Sequence, residues 1–94
     1  MPIKSFRHKG LRELFEEGRS RGIRADQAKR LRRLLTALDA AATIDEMNVY
    51  PGWRLHPLTG DLKGFWSVSV TGNWRLIFRF EDGDAFDLDL VDYH

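Results

Sequence analysis

Residues 65–91 read FWSVSVTGNWRLIFRFEDGDAFDLDLV, and this run decides the fold. Apolar and polar side chains alternate along Phe65 to Val70, Trp74 to Phe80 and Ala85 to Val91, the period of two expected of half-buried strands. Thr71-Gly72-Asn73 and Asp82-Gly83-Asp84 interrupt the alternation with turn-forming residues, which predicts an antiparallel meander. Slipping a pairing by one residue would send every apolar side chain to the wrong face, so burial predicts the register. Three-residue turns set Val70 against Trp74, Val68 against Leu76, Phe80 against Phe86, Phe78 against Leu88 and Leu76 against Leu90. Two-residue turns would instead put Phe78 opposite Asp87. The preferred register turns Ser67, Ser69, Arg75, Ile77, Arg79, Asp87, Asp89 and Val91 to a second, mostly polar face. A further strand is expected over Trp53 to His56, ended by Pro57.

Upstream the period changes. Leu11, Leu14 and Phe15 fall in one arc at 100° per residue, with Glu13, Glu16 and Glu17 outside it, so a short amphipathic helix is expected from Leu11 to Glu17, stopped at Gly18. Gly18 to Gly22 reads as a flexible connection. A longer helix is expected over Ala25 to Ala41, where Ala28, Leu31, Leu34, Leu35 and Leu38 form one stripe and Lys29, Arg30, Arg32 and Arg33 lie off it. Thr43-Ile44-Asp45-Glu46 has capping-box spacing and predicts a third short turn. Ile3 to Phe6 reads as a short edge strand. Helices first and strands afterwards predict one α+β domain over residues 1–94, with the helices on one face of a small twisted, mainly antiparallel sheet and a ligand on the other.

The composition narrows the function. The chain has 94 residues, no cysteine and a net charge of +1, so the fold must rest on packing alone. Met1 to Phe6 lacks the apolar run of a signal peptide and no stretch is apolar for long enough to span a membrane, so a soluble protein of the cytoplasm is expected. The near-neutral sum hides a segregation of charge. Residues 1–38 hold eleven Lys or Arg against four Asp or Glu, giving +7, whereas residues 39–94 hold four against ten, giving −6. A basic half of this kind suits a polyanion such as RNA, although a run of cations taken alone is more often the solvated face of a helix.

The chain has three histidines and no His-x-x-x-His pair, so neither a metal nor another cofactor is expected. His8 reads as an exposed residue preceding a helix. His56 alternates with Leu55 and so faces the polar side with Arg54. Arg75 falls between Trp74 and Leu76, opposite Val91 and therefore next to Asp92-Tyr93-His94. Taken singly, a histidine before a proline is structural, and an arginine near an aspartate is an ion pair. Taken together they contain what RNA cleavage requires: histidine as acid or base, Asp92 to orient it, Arg75 for phosphorane charge and Tyr93 to stack on a base. Cleavage through a ribose 2′-hydroxyl without a metal, and no action on DNA, would follow.

The order Ile3-Lys4-Ser5-Phe6…His8-Lys9-Gly10-Leu11, Leu55-His56-Pro57-Leu58…Gly60-Asp61, Gly64-Phe65-Trp66-Ser67, Asn73-Trp74-Arg75, Glu81-Asp82-Gly83-Asp84-Ala85 and Asp92-Tyr93-His94 resembles the HigB toxins of the RelE superfamily nearly end to end. The resemblance implies a RelE-like fold and a toxin that enters the ribosomal A site and cleaves the mRNA there. It also implies an inhibitory partner, a HigA-like helix-turn-helix antitoxin. On the family pattern His56, Arg75, Asp92, Tyr93 and His94 are the active-site groups, with the roles of the two histidines open. The ladder drawn above places Arg75 beside the tail but His56 toward the other end of the sheet. Relatives often carry a basic residue after His-Pro-Leu where this chain has Thr59, and Arg54, Lys63 and Arg79 are the candidates to supply that phosphate contact. By the same resemblance Lys29, Arg30, Arg32 and Arg33 would bind small-subunit ribosomal RNA without sequence readout. The alternative from another class is a noncatalytic RNA- or protein-binding module on the same fold.

Overall fold

The computed structural model describes residues 1–48 and 50–92. Two helices, α1 (Lys9–Glu17) and α2 (Ala25–Ala40), pack on one face of an antiparallel sheet whose strands lie in the order β1 (His56–Pro57), β2 (Phe65–Ser69), β3 (Trp74–Glu81) and β4 (Asp84–Asp92). This is the α+β architecture expected from the order of the periods. The stripe of α2 is buried throughout, and Leu31, Leu34, Leu35 and Leu38 meet Val68, Leu76, Phe78 and Leu88 from the sheet in one core. No helix among the described residues is long and apolar enough to cross a membrane.

Specific contacts tie the connection between the helices to both of them. Gly18 ends α1 in the left-handed region at φ 73°, which a glycine adopts without a Cβ clash. The Arg32 guanidinium then donates to the Gly18 carbonyl at 3.2 Å. Gly10 and Gly22 touch backbone to backbone: a Cβ on Gly10 would stand 2.6 Å from the Gly22 carbonyl oxygen. Glu13, expected outside the apolar arc, is buried, and its carboxylate receives Nε and Nη2 of Arg21 at 3.2 and 3.0 Å. His8 caps α1, its Nδ1 accepting the Leu11 N–H at 3.1 Å. Beyond α2 the expected short turn is a 3-10 helix, Ile44–Asn48, entered through the Glu46 carboxylate accepting from Ala42 and Thr43.

The expected register holds along one end of the meander. Val68 opposes Leu76, Leu76 opposes Leu90, and the Val70 N–H reaches the Trp74 carbonyl across the Thr71 to Asn73 turn. At the other end the pairs are Glu81 with Asp84, Phe80 with Ala85 and Arg79 with Phe86, so the turn is the two-residue Asp82-Gly83, both at positive φ, instead of three residues. Asp-Gly supplies the two left-handed residues that a tight hairpin turn demands. Because Ile77 still faces Asp89, Asp87 and Leu88 together oppose Phe78: a β-bulge absorbs one residue and restores the burial pattern. Turn chemistry and hydrophobic register are both satisfied, at the cost of placing Asp87 at φ 55°.

Three further expectations are corrected. The strand over Trp53 to His56 is a 3-10 turn, Pro51–Trp53, followed by left-handed Arg54, and only His56 and Pro57 pair, with Ser67 and Trp66. Pro57 is thus within an edge strand. The second face is not simply polar, since Leu58, Phe65 and Ile77 bury one another there, with Leu62 and Val91 against them. Ile3 and Phe6 form parallel bridges to Ala85 and Leu88, carrying the first residues along the outer edge of β4.

Candidate active site

Directly opposed residues in an antiparallel sheet share a face. His56, Ser67, Ile77 and Asp89 therefore form one row across the sheet, and Ser69, Arg75 and Val91 the next, both on the face turned away from the helices. His56 sits one row from Arg75 and two strands across, which puts their Cα atoms roughly 12 Å apart from strand spacing and rise. Along the strands His56 is thus closer to Arg75 than expected, although β1 is the edge opposite β4 and its end at Asp92, and the reason is local. The 3-10 turn and the left-handed Arg54 delay the start of β1, so pairing begins at His56 rather than at Trp53. Ser67 and Ser69 lie between the two candidates on β2.

Each side chain is oriented by its own neighbourhood. The imidazole of His56 is exposed, and its Nδ1 stands 3.0 Å from the Arg54 carbonyl. A carbonyl can only accept, so this contact selects the tautomer with the proton on Nδ1 and leaves the Nε2 lone pair for an incoming proton. Arg75 is half-buried, and its Nη1 donates to the carbonyls of Gly72 and Trp74 at 2.9 and 3.0 Å. Three further N–H groups of an arginine, on Nε and Nη2, suit an oxyanion. Asp92 opposes Trp74 at the end of β4 and so shares the helix-side face of Trp74 rather than that of Arg75, whose own partner is Val91; Tyr93 and His94 lie outside the described residues.

The basic candidates divide into three groups. Arg54 and Lys63 are exposed, the first between the 3-10 turn Pro51–Trp53 and β1 and the second directly after the 3-10 turn Gly60–Leu62. Arg79 is held by Asp87 through Nε at 2.8 Å and by Glu81 through Nη1 at 2.9 Å. Its guanidinium pKa is raised by those hydrogen bonds, and the same bond from Arg79 holds the Asp87 carboxyl below the usual aspartate range. The charge of Arg79 is thus already matched within the sheet. Lys29, Arg32 and Arg33 are exposed on the outside of α2, with Arg30 half-buried and donating to the Gly52 carbonyl at 3.2 Å. Together with Tyr50 and Trp53 they line an open groove of about 850 Å³. That groove lies on the helix side, so the structure does not bring the α2 cations together with His56 and Arg75.

Two acidic positions on this face were not singled out as site residues. Asp89 shares the row of His56 and Asp87 occupies the bulge. The signal for Asp87 was the Asp82-Gly83 dipeptide, whose preferred turn forces an extra residue into β4. No group of three metal-ligating side chains occurs among the described residues.

The profile of the HigB-like toxins, described as the RelE-like toxin of type II toxin–antitoxin system HigB, matches residues 4–94. The chain is 48% identical over 94 residues to "Endoribonuclease HigB" of Proteus vulgaris, covering 98% of this chain and 99% of that protein. It is 37% identical over 83 residues to "Toxin HigB-1" of Vibrio cholerae, covering 87% of each. Among solved structures, a YafQ mutant from E. coli superposes with a TM-score of 0.64 over 96% of this chain and 90% of that one, at 18% identity. At that identity the likeness concerns the fold alone, which is the helices-on-sheet arrangement described above.

Proposed function

The chain belongs to the HigB-like family of RelE-like toxins of type II toxin–antitoxin systems, and from this membership we propose that it arrests growth by cutting mRNA in the ribosomal A site. Endoribonuclease activity accords with the name of the Proteus vulgaris relative. The single structural observation that supports the rest is the shared face of His56 and Arg75, with the imidazole oriented by the Arg54 carbonyl and the guanidinium by the Gly72 and Trp74 carbonyls.

In this reading a phosphodiester lies across β2 between the two side chains. Nε2 of His56 takes the proton of the ribose 2′-hydroxyl, the 2′-oxygen attacks the adjacent phosphorus, and the bond from phosphorus to the 5′-oxygen breaks. Arg75 meets the charge that grows on the non-bridging oxygens. His94 returns a proton to the leaving 5′-oxygen, Asp92 orients the tail and Tyr93 stacks on a base, roles that rest on the family resemblance. The products are a 2′,3′-cyclic phosphate and a 5′-hydroxyl, and no metal takes part. Arg54 and Lys63 bind flanking phosphates. The outer face of α2, with Lys29, Arg30, Arg32 and Arg33, holds small-subunit ribosomal RNA, and a HigA-like helix-turn-helix antitoxin restrains the toxin in the cytoplasm.

The test is induction of the chain in bacteria followed by primer extension on mRNA in a translating extract. The expected result is growth arrest with cuts at codon-spaced positions, and a loss of cutting of about 10²-fold or more in Arg75→Ala. Ribosome retention without cuts would make the chain a binding module instead.

A further inference from the structure

Gln27 is the odd residue of the core. It lies on the buried side of α2 with no exposed surface, its Nε2 donates to Thr71 Oγ1 at 3.0 Å, and its Oε1 has no hydrogen-bond partner. Burying an amide half-satisfied is unfavourable, and an apolar residue would pack there without that penalty. What Gln27 holds is the β2–β3 turn. Thr71 is the first residue of that turn, its carbonyl accepts the Trp74 N–H at 2.8 Å, and Gly72, at φ 52°, is the next. The carbonyls of Gly72 and Trp74 are the two that hold Nη1 of Arg75.

A continuous chain of contacts thus runs through the sheet. It begins inside the helical layer at Gln27, passes through the Thr71 hydroxyl and the turn, and ends at the guanidinium on the opposite face. We propose that Gln27 and Thr71 are positioning residues for Arg75: they fix the turn whose carbonyls aim the guanidinium at the reacting phosphate. The inference rests on Arg75 being the phosphate-binding cation of the proposed site. The turn has no other side-chain tether to α2 among the hydrogen bonds of the described residues. A short loop carrying a glycine shifts easily, and a displacement of ~1 Å at a reacting group can cost ~10²-fold in rate. Because the charge that Arg75 meets develops in the transition state, misplacing it lowers kcat while leaving ribosome binding, made by other surfaces, unchanged.

The experiment measures cleavage kinetics on programmed ribosomes, with melting temperature as the control for folding. Thr71→Val replaces the half-buried hydroxyl with a methyl of the same size, and Thr71→Ser keeps the hydroxyl. The expected result is a kcat about 10-fold lower for Thr71→Val with KM unchanged, and near wild-type kcat for Thr71→Ser. Gln27→Met is expected to match Thr71→Val in kcat. Arg75→Lys keeps a cation but loses the grip of Nη1 on the turn, so Thr71→Val added to Arg75→Lys is expected to cause no further loss. The inference is overturned if Thr71→Val cleaves at the wild-type rate, if Thr71→Ser is as slow as Thr71→Val, or if the losses of Thr71→Val and Arg75→Lys multiply. Full activity in Arg75→Ala overturns the reading of the site and this inference with it. A slow Arg75→Ala beside a fast Thr71→Val overturns the inference alone.

Discussion

The carboxylate of Asp87 accepts the Nε–H of Arg79 at 2.8 Å from inside the bulge of the β3–β4 hairpin, where its backbone N–H donates to the Ser5 hydroxyl oxygen at 2.9 Å. The N-terminal segment and both strands of the hairpin meet at this one residue. The hydrogen bond from Arg79 depresses the Asp87 pKa first, with the charges of Arg79 and Arg7 adding to it and burial opposing. A depressed carboxyl contributes stability above its unfolded value of about 4 and loses it as pH falls through the folded value. Asp87→Asn is therefore expected to lower the melting temperature at neutral pH and to flatten its fall in acid, as read by thermal melts between pH 7 and pH 2.

The pair of glycines at the helix hairpin gives a prediction of different size at each site. Gly10→Ala would place a Cβ 2.6 Å from the Gly22 carbonyl oxygen, a backbone atom that cannot swing away, so α1 and the connection leading into α2 must part. The expected cost is ~2–3 kcal/mol, the scale of overpacking in a core. Gly18→Ala meets open space and bears only the strain of φ 73°, about 1 kcal/mol. Urea denaturation of both variants checks the order, and equal losses would contradict it.

Glu13 and Arg21 differ in exposure, at 6% and 68% of their side-chain surfaces. The Arg21 hydrogen bond lowers the Glu13 pKa, with the nearby charges of Arg21, Lys9 and Arg12 assisting and burial opposing. Removing the arginine strands a buried carboxylate, whereas Glu13→Gln leaves a neutral amide. Arg21→Ala is accordingly expected to melt at a lower temperature than Glu13→Gln at pH 7. The gap should close as pH drops through the folded carboxyl value and the stranded group takes up a proton.

The reaction proposed needs the ribose hydroxyl as nucleophile. An mRNA carrying a single 2′-deoxy or 2′-methoxy nucleotide at a mapped cut site is expected to resist cleavage there and to be cut normally elsewhere. Fragments should bear a 5′-hydroxyl that polynucleotide kinase labels without prior phosphatase. A 5′-phosphate would exclude the mechanism.

The helices and most of the sheet were legible because burial repeats with a fixed period. Leu31, Leu34, Leu35 and Leu38 follow 3.6, and the pairs Leu76 and Phe78 on β3 and Leu88 and Leu90 on β4 follow two. Polar residues with a tertiary reason to be buried were not legible. Gln27 and Glu13 lie inside because Thr71 and Arg21 meet them, and neither partner is close enough in sequence to be read as one. At Asp82-Gly83 two rules, turn geometry and hydrophobic register, gave different pairings. Register alone predicts a three-residue turn, and the bulge at Asp87 keeps both rules. Of the candidate site, the common face of His56 and Arg75 followed from alternation. Their proximity did not, because the left-handed Arg54 and the 3-10 turn before it carry no periodic signal.

The segment beside β4 has one more consequence. Lys4 and Arg7 donate to the Ala85 and Leu88 carbonyls, and Ala85 and Leu88 donate back to Pro2 and Ser5. The opposite border is β1, two residues long, of which Pro57 has no N–H to offer. Along Ala85 to Leu88 on one border and at β1 on the other, little open ladder is left on which another chain could nucleate a strand, which disfavours self-templated stacking into cross-β aggregates there.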